Sequence, residues 1–265
     1  MLKVRPLDRL HVYVVCWNEE KILPYFLRHY AQFADWIFVY DNESTDGTHE
    51  IVKSHPKAVL RHFPRRLDLS SLEAQTNVKN KEWKRSRGVA RWVVVCDMDE
   101  LLYHPNLLEC LASFEKKGVT VPRPKGYDMY HSHFPATTGQ IYQEVTKGVY
   151  APKWFNKRIV FDPNAIEHMG YEWGCHKAHP KGKVVYGDAP NLYLLHFKNM
   201  GLEWSTSRNA EMASRFTPVD HNIRKGQIPN FCGHHLLPED ERKHAFDKNM
   251  KRAEILPVFQ RPIFA

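Results

Sequence analysis

Three carboxylates fall within four positions in RWVVVCDMDELLYH, residues 91–104: Asp97, Asp99 and Glu100. They follow directly on the apolar run Trp92 to Cys96. Carboxylates two residues apart can share a divalent cation, and Mg²⁺ and Mn²⁺ favour such oxygen ligands and bind diphosphates through them. The metal then neutralises charge on a departing phosphate. The competing reading is a solvated turn with an Asp cap. A second group lies in YDNESTDGT, residues 40–48. Asp41 stands about 20 residues beyond the first turn, where an acidic residue of a nucleotide-binding fold meets ribose hydroxyls. Asp46 and Gly47 read as turn residues. The first turn itself, CWNEEK, offers Asn18 and Glu19 but no G-x-G-x-x-G and no P-loop. That pattern argues against a nicotinamide or flavin oxidoreductase. With no glycine cradle for a diphosphate, neutralisation falls to a metal, and DMDE is its natural holder.

Such groups need elements to aim them. HVYVVCW (11–17), WIFVYDN (36–42), AVLRHF (58–63) and RWVVVC (91–96) are short runs rich in β-branched and aromatic residues, read as buried strands. Between them, EEKILPYFLRHYAQF has apolar residues at helical spacing. STDGTHEIVKSH opens with a capping-type start. SLEAQTNVKNKEWKRSR reads as one long helix, NLLECLASFEKK as another, and GVTVPR as a fifth strand. This alternation predicts an α/β fold with a mostly parallel central sheet and helices on both faces. Ligands of such sheets bind outside the carboxyl ends of the strands, which puts NEE, DNESTDGT and DMDE on one rim rather than in the core. Beyond about residue 128, short extended segments predominate (KGVYAP, KRIVF, KVVYG, NLYLLHF), and they predict antiparallel additions to the sheet. LEWSTSRNAEMASRF (202–216) reads as a further helix.

Composition narrows the class. The 265 residues include 43% hydrophobic and 26% charged, ordinary for a globular enzyme. No apolar run reaches the ~18 residues of a membrane span, and the N-terminus lacks a signal-peptide pattern. Five cysteines without metal-type spacing argue for a reducing, cytoplasmic compartment. The net charge of +8 favours acidic partners, including an anionic membrane surface touched peripherally. The densest basic stretch, KNKEWKRSRGVAR (79–91), reads as a solvated helix face. There is no finger, RNP or helix-turn-helix pattern, so nucleic acid is not expected.

Taken together, CWNEEKILPYFLRHYAQFADWIFVYDNESTDGT and WVVVCDMDE resemble the GT-A glycosyltransferases of family 2 type, nearest the bacterial and viral members that build surface polysaccharides. The resemblance is close over residues 11–104 and loose elsewhere. It implies inverting transfer of a sugar from a nucleotide diphosphate sugar to a glycan or lipid-linked glycan, dependent on Mn²⁺ or Mg²⁺. By motif, Asn18, Glu19 and Asp41 hold the nucleoside side of the donor, and Asp97 and Asp99 hold metal and diphosphate. Glu100 either touches the donor sugar or bonds nearby backbone. It also implies one GT-A domain over residues 1–265, with a nucleotide-sugar half to about residue 128 and an acceptor half beyond.

Inversion requires a general base, and the E-D pair that supplies it in family members has no clear counterpart here. Asp128 in KGYDMYHSHFP and Glu172 in HMGYEWGCHK are the two candidates, each with a plain surface salt bridge as its alternative. Sixteen histidines include no H-E-x-x-H. His196 differs from the rest in ending an apolar run, NLYLLH, and many GT-A enzymes place a late His on the metal. Lys157 and Arg158 fit either a phosphate contact or a solvated strand edge. Two other classes share these features: an inactive nucleotide- or sugar-binding module of the same fold, and a metal-dependent phosphohydrolase or nucleotidyltransferase.

Overall fold

The computed structural model describes residues 7–223 and 237–260. Its first half alternates as the sequence predicts: β1 (Asp8–Cys16), α1 (Leu23–Tyr30), β2 (Trp36–Asp41), α2 (Thr48–Ser54), β3 (Ala58–His62), α3 (Ser71–Lys81) and β4 (Ala90–Cys96). The strands are buried because their β-branched and aromatic side chains pack on both faces of the sheet; Val12, Val14, Ile37, Val39, Val93 and Val94 are essentially inaccessible. β1, β2, β3 and β4 pair in parallel, in the order β3-β2-β1-β4. The helix expected to run through SLEAQTNVKNKEWKRSR is α-helical only to Lys81 and tightens to a 3₁₀ turn over Glu82–Ser86. Trp83 in that turn is fully buried and packs edge-on against Phe161.

After β4 the chain leaves this sheet. A turn closed by the Glu100 amide on the Asp97 carbonyl, at 3.1 Å, leads into β5 (Glu100–Tyr103). Then come α4 (Leu107–Lys116), β6 (Val121–His131), β7 (Lys147–Tyr150), α5 (Pro152–Phe155) and β8 (Val160–Phe161). The short β9 (Ile166–His168) and β10 (Lys181–Gly182) form a ribbon, and β11 (Tyr186–Met200) is long. α6 (Leu202–Ser214), α7 (Pro218–Ile223), α8 (Glu239–Arg252) and β12 (Glu254–Ile255) complete the described chain. α6 matches the helix expected over 202–216.

The fifth strand expected at GVTVPR is therefore not a continuation of the parallel sheet. It is the start of β6, in a second five-stranded sheet of order β12-β7-β6-β11-β5. There β11 pairs parallel with β6 and antiparallel with β5. The antiparallel additions expected from the second half thus build a sheet of their own, and only β8 extends the first, antiparallel to β4. The DMDE turn sits where the chain passes from one sheet to the other.

Candidate active site

Register fixes the rim. Cys16 lies opposite Asp41, and Val14 opposite Cys96. Asp41 and Asp97 therefore leave β2 and β4 at nearly the same level, flanking the end of β1. On the second sheet His196 of β11 is in register with Glu100 of β5 and Asp128 of β6. Paired residues on neighbouring strands share a face, so these three form a row facing the DMD turn.

The acidic turn stands at that rim but is not the solvated turn of the competing reading. Glu100 is wholly buried and Asp99 is 5% exposed, while Asp97 keeps about a quarter of its side chain open. Buried carboxylates require partners, and the partners come from distant segments. Lys79 of α3 pairs with Asp97 Oδ1. Lys157 reaches Glu100 Oε1 at 2.5 Å and Asp97 Oδ2 at 3.4 Å. Both ammonium groups are at most 4% exposed. Desolvation would raise the Asp97 carboxyl, but Lys79 and Lys157 more than offset it and hold it well below the usual carboxylate range. Gly126 makes the Lys157 approach possible. A Cβ there would lie 2.1 Å from the Phe155 backbone, so only glycine lets α5 close on β6.

Asp99 faces two groups. Arg208 of α6 donates to its Oδ2 at 3.0 Å and also grips Glu19, Nη2 to Oε1 at 2.5 Å. Burial pushes the Glu19 carboxyl up to about 7 in spite of this guanidinium. The other Asp99 oxygen lies 3.6 Å from His196 Nε2. His196 Nδ1 donates to Asp128 Oδ1 at 3.0 Å, and Tyr130 donates to the second Asp128 oxygen at 3.0 Å. Phe155 stacks on the His196 ring with centroids 4.3 Å apart. Burial alone would lower the His196 pKa; the carboxylates of Asp99 and Asp128 on either side reverse the shift.

Asp41 is 1% exposed. Its Oδ2 accepts from His49 at 2.8 Å and from the Ser44 amide at 3.1 Å, whereas Oδ1 has no partner. Burial would raise this carboxyl, but the His49 and Ser44 hydrogen bonds hold it below its ordinary value. Asn18 has a left-handed backbone, φ 49°. Its carboxamide accepts from the Thr45 amide and donates to Glu211 of α6, each at 2.8 Å. It therefore fastens the first turn to the second and to α6. Glu172, half exposed, bonds His179 at 2.8 Å and Lys177 at 3.3 Å. The structure thus gathers Glu19, Asp97, Asp99, Asp128 and His196 into one linked cluster and gives Glu172 other partners. Sequence reasoning missed Lys79 and Arg208, because an isolated cation on a polar helix carries no sign that it will be buried. Lys157, read as a phosphate contact or a solvated strand edge, is instead buried against Glu100 and Asp97.

The donor set suits a divalent metal at Asp99 and His196. A carboxylate on Nδ1 leaves Nε2 free to ligate, the usual support of a metal-bound imidazole, and that nitrogen faces a carboxylate. Asp97 stands beside them, already neutralised by two lysines.

The sequence model of Glycosyl transferase family 2 matches residues 11–168, β1 to the end of β9 and more than half of the chain. The chain belongs to that family and is a glycosyltransferase with the GT-A organisation. Among solved structures it is similar to S. aureus TarS 1–349, at 13% identity and TM-score 0.45, covering 92% of this chain and 71% of that one. It is also similar to TarS 1–349 in complex with UDP-GlcNAc, at 14% identity and TM-score 0.40, over 92% and 72% of the two chains. No curated protein matches it.

Proposed function

We propose that the chain moves a sugar, with inversion, from a nucleoside diphosphate sugar to a hydroxyl of a glycan or lipid-linked glycan. The observation that carries this reading is the line Asp99–His196–Asp128 beside Asp97, a metal-suited donor set where the carboxyl end of the parallel sheet meets the second sheet. Asp41 Oδ1, buried and without a partner, is the acceptor proposed for a nucleoside hydroxyl or ring N–H. Asn18 and Glu19 shape that side of the donor site through their bonds to Thr45 and Arg208. Asp99 and His196, with Asp97 adjoining, would hold Mn²⁺ or Mg²⁺. When bound, the metal supplies charge neutralisation for the leaving diphosphate. An imidazole ligand favours Mn²⁺. Arg208, already at Asp99, is placed to meet phosphate oxygens as the donor enters.

Of the two carboxylates considered as base, Asp128 adjoins this cluster. Its oxygens are engaged by His196 and Tyr130, so orienting His196 is its first role, and proton abstraction requires release of one of those bonds. The first half of the domain is proposed to bind the donor and the second, with its own sheet, the acceptor. Among the described residues no helix is long and apolar enough to cross a membrane. The net charge of +8 supports peripheral contact with an anionic cytoplasmic surface that presents a lipid-linked acceptor. The test is a panel of nucleotide sugars with Mn²⁺, scored for release of UDP, GDP or CMP. Release from one donor that Asp99→Asn abolishes is expected. Turnover unaffected by EDTA would overturn the metal.

A further inference from the structure

A second cluster lies at the end of β6 and shares no residue with the donor site. His131 closes the strand, His133 follows in the turn, and Glu144 ends the 3₁₀ turn Ile141–Gln143. One ligand-capable atom from each of the three lies within 4.8 Å of the other two. His133 Nε2 and Glu144 Oε1 are 3.4 Å apart. Two ligands about 2.0–2.1 Å from a tetrahedral ion are separated by roughly that distance.

Each side chain also has a second bond that orients it. His131 Nδ1 donates to the His133 carbonyl at 2.9 Å, which leaves Nε2 as the free lone pair. His133 Nδ1 meets Ser132 Oγ at 3.0 Å, so its Nε2 is the nitrogen turned to Glu144. Glu144 Oε2 accepts from the amides of Thr137 at 2.9 Å and Ala136 at 3.2 Å. This is the pattern of imidazole and carboxylate ligands held by outer partners. A solvent-exposed His–Glu ion pair requires none of it.

The surrounding backbone is fixed as well. The Gly201 amide donates to the His131 carbonyl at 2.9 Å. Gly201 has φ 85°, and a Cβ there would come within 2.8 Å of His133 Cα. On the other side of the loop, Tyr25 donates to the Pro135 carbonyl at 2.8 Å and Arg28 to the Gly139 carbonyl at 2.5 Å.

We propose that His131, His133 and Glu144 form a Zn²⁺ site with water completing the coordination. Two imidazoles and one carboxylate suit zinc, whereas Mg²⁺ and Ca²⁺ prefer oxygen-only sites. The ion ties the end of β6 to the loop over α1, next to Gly201, from which α6 departs with Arg208.

The experiment uses the untagged chain, stripped with chelator and dialysed, then titrated with ZnCl₂ by calorimetry and with Co²⁺ by visible absorption. One site is expected that survives His196→Ala and is weakened at least ~10-fold by His133→Ala and by Glu144→Gln. The His133 side chain is 64% exposed, so its loss leaves the fold intact, which circular dichroism checks. Wild-type binding in both His133→Ala and Glu144→Gln would overturn the proposal. So would the absence of any zinc site that His196→Ala retains.

Discussion

Lys157→Met removes the cation from a carboxylate that has no access to water. Lys157 is 3% exposed and Glu100 not at all, with 2.5 Å between Nζ and Oε1. Removing one partner of a buried pair costs about 3–5 kcal/mol, because the remaining charge stays desolvated. For a domain of this size each kcal/mol moves the melting temperature by about 2–4 °C, so a fall of roughly 6–20 °C is expected. Asp97 is affected less, since Lys79 remains on its other oxygen. The decisive comparison is a double-mutant cycle by urea and thermal unfolding. Glu100→Gln keeps an acceptor for the Asp97 amide, which Glu100 Oε2 now binds at 3.0 Å. Combined with Lys157→Met, it leaves no unpaired charge on Glu100 and should recover most of the lost stability. A single Lys157→Met loss below about 1 kcal/mol, or a double mutant equal to the sum of the two singles, would refute the account of the pair.

Asp128→Asn separates two roles. If Asp128 orients His196, Mn²⁺ affinity should fall about 10–100-fold; a kcat loss of about 10²–10⁴ with metal affinity intact would make it the base instead. Asp41→Ala should weaken nucleotide binding in the absence of metal, and unchanged metal-free affinity by calorimetry would refute the nucleoside contact. Arg208→Gln should raise the KM for the donor, and donor kinetics equal to wild type would remove it from phosphate binding. His29 is buried as the neutral imidazole, its pKa lowered to about 4 by burial, with Nε2 donating to the Leu102 carbonyl at 3.0 Å. A depressed folded pKa means its contribution is complete above the unfolded value of about 6.5 and is lost as pH falls toward 4, a change on the order of 3 kcal/mol. His29→Gln should flatten stability between those pH values, and an unchanged slope would exclude His29 as its source.

The strands of the first sheet and the carboxylates at their ends are legible in the sequence because both follow from local pattern. A run such as Trp92 to Cys96 can satisfy its side chains only inside a sheet, and parallel strands must release Asp41 and Asp97 at the same edge. His196 stands out as a polar residue ending an apolar run, but β11 continues through buried Phe197 to Met200, so it lies within the strand and its register with Glu100 and Asp128 sets its place. What the pattern could not reveal is the sheet to which a strand belongs. β6 and β11 pair across nearly seventy residues, and nothing near GVTVPR distinguishes that partner from a place beside β4. Nor could it reveal which charges are buried. Lys79 lies in a stretch whose composition reads as a solvated face, and Lys157 and Arg208 stand among polar neighbours, yet these three cations enclose Asp97, Asp99, Glu100 and Glu19. Local sequence determines how a segment folds, through side-chain periodicity and backbone preference. Whether a charge is solvated or buried depends on which distant opposite charge the tertiary structure brings within reach, because only a paired ion can remain out of water.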